Sequence, residues 1–150
     1  MAREERAVFV NMCMIRDGGK VLVIDRQKPD WPGVTFPGGH VEKEEAFVES
    51  VIREVREETG LTIEDPVLCG TKQFQDENDA RYVVLFYKAS RFSGELKSSQ
   101  EGEVFWIDRQ KLTDYPLAPD MEAMVQVMES DHLSEFYYYK ENGGWKYKLL

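Results

Sequence analysis

The chain has 150 residues, 42% of them hydrophobic, with 19 Lys plus Arg against 28 Asp plus Glu and a formal net charge of −9. That length and apolar content suit a domain with its own core and exclude a wholly disordered chain, while 11 Gly and 6 Pro exclude collagen-like sequence. The acidic balance excludes a surface that coats a nucleic-acid polymer, because such surfaces start from a basic stripe.

In chain order, residues 8–15 and 20–25 are apolar runs that predict two strands, joined by a hairpin turn at Asp17-Gly18-Gly19. Residues 26–32 are polar, carry two prolines and predict a loop. A short strand, Val34-Thr35-Phe36, is halted by Pro37-Gly38-Gly39. The period then changes. Phe47, Val51 and Val55 recur at helical spacing, predicting a helix over 44–59 that Gly60 terminates.

Further strands are predicted over 67–74, 81–89 and 104–107, with a polar connection over 75–80 and a Gly/Ser-containing loop over 91–103. Residues 120–129 predict a second helix, with Met121, Met124, Val125 and Met128 as a core stripe. The tail, 136–139 and 145–149 around Asn142-Gly143, predicts a hairpin with a primed turn. No linker or repeat divides the chain, so residues 1–150 read as one α+β domain.

Cys13 and Cys69 lie far apart and offer neither a disulfide framework nor a zinc knuckle, as in a reducing compartment. No small-residue cleavage site follows the charged N-terminus, and the longest apolar run, 82–87, is far too short to span a bilayer. The expectation is a cytoplasmic protein with no membrane partner; the oligomeric state is left open.

Between Glu42 and Glu64 stand eight acidic residues against three basic ones. Glu54, Glu57 and Glu58 project from one side of the first predicted helix, at i, i+3 and i+4. Like charges at that spacing repel, and near a helix C-terminus they also oppose the dipole, so local stability does not account for them. A hard divalent cation does, because converging carboxylate oxygens are what Mg²⁺ or Mn²⁺ requires. The turn at Pro37-Gly38-Gly39 can face its carbonyls toward the same point. Arg53, one turn from Glu49 and Glu57, partly neutralises the cluster.

The run from Gly39 through Glu45 to Arg53-Glu54-Val55-Arg56-Glu57-Glu58-Thr59-Gly60-Leu61 resembles the complete Nudix box, with every fixed position matched over residues 39–61. The resemblance implies the Nudix fold, an α/β/α sandwich with a mixed β-sheet. It also implies Mg²⁺-dependent hydrolysis (Mn²⁺ as substitute) of a small-molecule nucleotide by water attack on phosphorus. By that resemblance Glu54, Glu57 and Glu58 are metal ligands, with the Gly39 carbonyl a further candidate. Glu54 or Glu57 orients or deprotonates the water, and Glu45 and Arg53 brace the loop and helix through a salt bridge.

Glu101 resembles the distal glutamate that completes the metal site in several members, with Glu103 as its competitor and a solvated loop acid as the plain alternative. Asp120 falls where purine-reading members place an Asp or Asn, and serves equally well as an N-cap. Arg26, Lys28 and His40 are candidates for phosphate contacts, the first two also as solvated loop charges. Phe36 is a candidate for stacking on a base or a core residue, and the tail aromatics are packing residues or one wall of a base pocket. The compact length, the Phe36-Pro37-Gly38-Gly39 entry and Asp120 favour the nucleoside-triphosphate, MutT-like subgroup, whose type activity converts 8-oxo-dGTP to the monophosphate and pyrophosphate. The alternatives are a member acting on another nucleoside diphosphate derivative such as ADP-ribose, and a non-catalytic nucleotide-binding domain.

Overall fold

The strands β1 (Ala7–Asp17) and β2 (Lys20–Arg26) contain unbroken apolar stretches, and the computed structural model, which describes residues 3–150, shows why. Met12, Met14, Val21 and Val23 point into one core, while Cys13, Ile15, Leu22 and Ile24 point into another on the opposite face. A sheet covered on both sides needs apolar residues at every position rather than at alternate ones. The remaining elements are β3 (Gly33–Thr35), α1 (Phe47–Thr59), β4 (Leu61–Glu64), β5 (Val67–Gln75), β6 (Arg81–Ala89), β7 (Arg91–Gly94) and β8 (Gly102–Asp108). A 3-10 helix (Arg109–Asp114), α2 (Met121–Glu129), β9 (Glu135–Glu141) and β10 (Gly144–Leu149) complete the chain.

Eight strands form one mixed sheet in the order β10-β9-β5-β6-β1-β2-β3, with β8 on the other edge of β2. β1 runs parallel to β6 from Ala7↔Arg81 to Ile15↔Ala89, and β5 is parallel to β9, while the other neighbours are antiparallel. Val51 and Val55 of α1 cover one face, and Met121, Met124 and Met128 of α2 cover the other. This is an α+β sandwich, a mixed sheet with a helix on each face, the architecture that the resemblance implies. Among the described residues no helix is long and apolar enough to cross a membrane.

Several local expectations change. Helix α1 starts at Phe47, three residues later than its periodicity predicts, because Glu44 takes φ 62° and Glu45 folds back to accept from the Glu42 N–H at 3.0 Å. Phe47 lies outside the inward stripe, 41% exposed and packed on Phe9 with ring centroids 5.3 Å apart. Residues 61–64 form β4, which the sequence pattern did not single out, and it pairs with β7, cut from the predicted 91–103 loop. Strand β8 begins at Gly102 because all of β2 pairs with it, Lys20↔Asp108 through Arg26↔Gly102. The tail hairpin has the predicted primed turn, with positive φ at Asn142 and Gly143.

Candidate active site

The loop that opens the acidic site is held by backbone pairing. On the edge of β1 left free by β2, the Asn11 N–H donates to the Gly39 carbonyl (2.8 Å) and the Cys13 N–H to the Pro37 carbonyl (2.9 Å). The approach is close enough to require glycine. A Cβ on Gly38 would lie 2.0 Å from the Asn11 carbonyl oxygen, and one on Gly39 would lie 2.4 Å from the Glu54 carboxyl.

Helix α1 runs under this loop with its acidic side turned to it. Glu58 is buried, 6% exposed, and accepts from the Gly38 N–H at 2.8 Å. Arg53 binds Glu45 through both Nε (2.7 Å) and Nη2 (3.0 Å), and donates through Nη1 to Glu54 (3.0 Å) and Glu57 (3.2 Å). Its Nη2 also donates to the His40 carbonyl at 3.0 Å, so one guanidinium ties loop, helix and both carboxylates together. The Glu45–Arg53 brace is therefore present as predicted. Arg53 beside it holds the Glu45 carboxyl down to about 2.

Across the cleft, Glu101 reaches in from the loop before β8 and pairs with Lys28 at 2.7 Å, whereas Glu103 is exposed and faces away in the β2–β8 pairing. The cleft, about 520 Å³, is lined by Gly39, Glu54, Glu57, Glu58 and Glu101, with Arg26, Lys28 and His40 at its rim. Burial, then the nearby charges of Glu54 and Glu101, push the Glu58 carboxyl up to about 8 against the pull of the Gly38 N–H. Burial also raises Glu54, against Arg53. Among the described residues no three of these side chains meet at one point, and each carboxylate is engaged by a protein donor, Glu54 and Glu57 by the same Arg53 Nη1. Carboxylates gathered in one cleft are the donor set that suits a hard divalent cation. The Gly39 carbonyl keeps a second lone pair beside the one engaged by Asn11.

The cleft opens onto a cavity of about 350 Å³ of a different character, and Arg26, Asp30, Gly38, Gly39, His40 and Glu58 border both. Its walls are Trp31, Phe74, Tyr82 and Met124, with Lys72, Asn11 and Thr35 as polar groups. Arg26 stands at the junction with its guanidinium 6.0 Å from the Trp31 ring centroid and 3.4 Å from Asp30, and its buried Nε lacks a hydrogen-bond partner.

Phe36 and Asp120 sit differently from the other candidates. Phe36 is 2% exposed and belongs to the core, lining the cavity as a packed residue without a free face for stacking. Asp120 does not line the cavity. It precedes α2 at φ 64° and makes no side-chain capping bond; its charge acts on Lys72 and on Tyr138. Tyr138 and Trp145 stack on each other at 4.6 Å and meet Phe74 edge-on at 5.9 and 6.0 Å, so the tail hairpin braces a wall of the cavity from behind.

Trp31, Lys72, Phe74 and Tyr82 were not singled out in the sequence. Strand period places Lys72 and Phe74 on one face of β5, but the register Lys72↔Val84 and Phe74↔Tyr82 is needed to set them beside the aromatic of β6.

The model of the NUDIX domain family matches residues 5–128. The chain belongs to the Nudix hydrolase family. An uncharacterized Nudix hydrolase of Bacillus subtilis, YvcI, is 32% identical over 115 residues, 73% of this chain and 72% of its own. The CTP pyrophosphohydrolase of Escherichia coli is 31% identical over 117 residues, 76% of this chain and 85% of its own. In the crystal structure of a mutator MutT protein from Bacillus halodurans the fold superposes with a TM-score of 0.77 at 29% identity, covering 95% of this chain and 97% of that one. In this Nudix hydrolase the box thus spans the Gly39 turn, the helix α1 and the start of β4.

Proposed function

We propose that this Nudix hydrolase cleaves a nucleoside triphosphate to the nucleoside monophosphate and pyrophosphate with Mg²⁺, and that oxidised purine nucleotides such as 8-oxo-dGTP are among its substrates. The observation that carries this reading is the junction of the two spaces: a carboxylate cleft suited to cations opens directly onto an aromatic cavity of about 350 Å³, with Arg26 and His40 on the shared border. A planar base fits between Trp31, Phe74 and Tyr82, while the phosphates extend past Arg26 and His40 toward α1. The name of the Escherichia coli relative, a CTP pyrophosphohydrolase, supports a triphosphate as substrate.

In the mechanism, Gly39, Glu54, Glu57, Glu58 and Glu101 would hold the metal. A divalent cation bound there would neutralise phosphate charge and lower the pKa of a coordinated water. Glu54 or Glu57 accepts the proton as the water oxygen bonds to phosphorus, and the phosphoanhydride bond breaks with pyrophosphate leaving. Arg53 keeps both carboxylates in place through its shared hydrogen bonds. Lys28 holds Glu101 at the rim until a ligand competes for either.

The test is release of pyrophosphate and of phosphate from a panel of 8-oxo-dGTP, dGTP, CTP, ATP and ADP-ribose, each with and without Mg²⁺. Turnover of triphosphates to monophosphate and pyrophosphate, abolished by EDTA, is the expected result. ADP-ribose outrunning every triphosphate would overturn the substrate class and favour the diphosphate-derivative alternative.

A further inference from the structure

Lys72 is a charged group in the aromatic cavity whose chemistry the reaction does not use. Its ammonium sits among rings, 5.2 Å from the centroid of Phe136, 5.5 Å from Tyr138 and 5.8 Å from Phe74. It is half-buried on the cavity wall and takes part in no hydrogen bond or salt bridge among the described residues. The ring faces attract the cation but do not accept its N–H donors as a carbonyl oxygen would, so an acceptor brought by a ligand gains a charge-assisted hydrogen bond there. Burial pulls the Lys72 ammonium toward its neutral form, and the charge of Asp120 opposes this.

We infer that Lys72 is a specificity-determining residue that selects bases presenting a carbonyl oxygen over bases presenting an amino group. The inference rests on the nucleotide reading above and names the edge of the base that the cavity recognises. A keto oxygen, as in guanine, hypoxanthine or an 8-oxopurine, accepts from the ammonium. An amino group such as that of adenine brings donor against donor and leaves the cation unpaired.

Inosine triphosphate against ATP isolates the contact, since the two differ only in the groups around C6 and N1. The wild-type chain is expected to favour inosine triphosphate by about 10- to 100-fold in kcat/KM, the range for one charge-assisted hydrogen bond. Lys72→Met, which keeps the stem and removes the ammonium, should erase that ratio by raising KM for inosine triphosphate and, because the unpaired cation is gone, lowering it for ATP. Lys72→Arg, which keeps donors, should retain the preference. A wild-type ratio near one, or equal losses on both nucleotides in Lys72→Met, would overturn the inference. Binding of IMP against AMP, followed by tryptophan fluorescence on the wild-type chain, reads the same selection without turnover. Selective IMP binding with no hydrolysis of any triphosphate would reject the hydrolytic reading and leave Lys72 standing, whereas equal binding would reject Lys72.

Discussion

The acidic cleft and the aromatic cavity share a border but are built in opposite ways. In the cleft, charge is concentrated within a few helical turns and every carboxylate is held: Arg53 bridges Glu45, Glu54 and Glu57, Gly38 holds Glu58, and Lys28 holds Glu101. In the cavity the residues come from β1, β2, β3, β5, β6, α2 and the loop before β3, aromatic and apolar side chains dominate the walls, and the ammonium on them has no hydrogen-bond acceptor among the described residues. The first region is organised for a reaction common to many substrates. The second is organised for choosing among them.

Four measurements can break or sharpen that contrast. The largest effect is expected from Glu57→Gln, which removes the charge of a carboxylate that is 56% exposed and carries little packing; kcat should fall by about 10²- to 10⁴-fold with the thermal transition unmoved. Near-wild-type turnover in that variant would remove Glu57 from the chemistry. Arg53→Lys keeps the charge but loses the fork that reaches Glu45, Glu54, Glu57 and the His40 carbonyl at once. A fall of about 10- to 100-fold in activity or in Mg²⁺ affinity is expected, as for other groups that orient ligands, and titration of activity with Mg²⁺ measures it.

In the cavity, Trp31→Ala should raise KM about tenfold while leaving kcat nearly unchanged, as loss of one base-stacking face predicts. An equal fall in kcat would mean that the two regions are not separable.

The smallest effect tests a site outside both. Glu129, at the end of α2, accepts from Arg109 Nε at 2.8 Å and from Arg16 at 3.1 Å, and these guanidiniums hold its carboxyl below the ordinary value of 4.5. Because the folded value is depressed, the stabilisation is present above pH 4.5 and is lost as pH falls through the folded value. Glu129→Gln should lower stability by about 1 kcal/mol at neutral pH, with the difference from wild type closing in acid and with kcat unchanged. Urea melts at several pH values read this out.

How much of this was legible in the sequence follows the same division. Glu54, Glu57, Glu58 and the Arg53–Glu45 brace lie within one helix and the loop before it, where spacing alone determines which side chains are neighbours. Residues 44–46 misled because their pattern is helical, while Glu45 serves Arg53 and the Glu42 N–H. Strands β4 and β7 escaped notice because each is four residues long and gains its pairing from the other. Phe36 and Asp120 are candidates for the base by their positions. The fold buries the first in the core and leaves the second outside the cavity lining.

The sequence by itself determined the box, the helix that carries its carboxylates and the apolar strands β1 and β2, because each depends on contacts between residues close in the chain or on a period along one element. Only the tertiary structure decided that Glu101 lines the cleft and Glu103 does not, and that Trp31, Phe74, Tyr82 and Lys72 line one space. Those neighbours are brought together by strand register and loop placement, which no local pattern encodes.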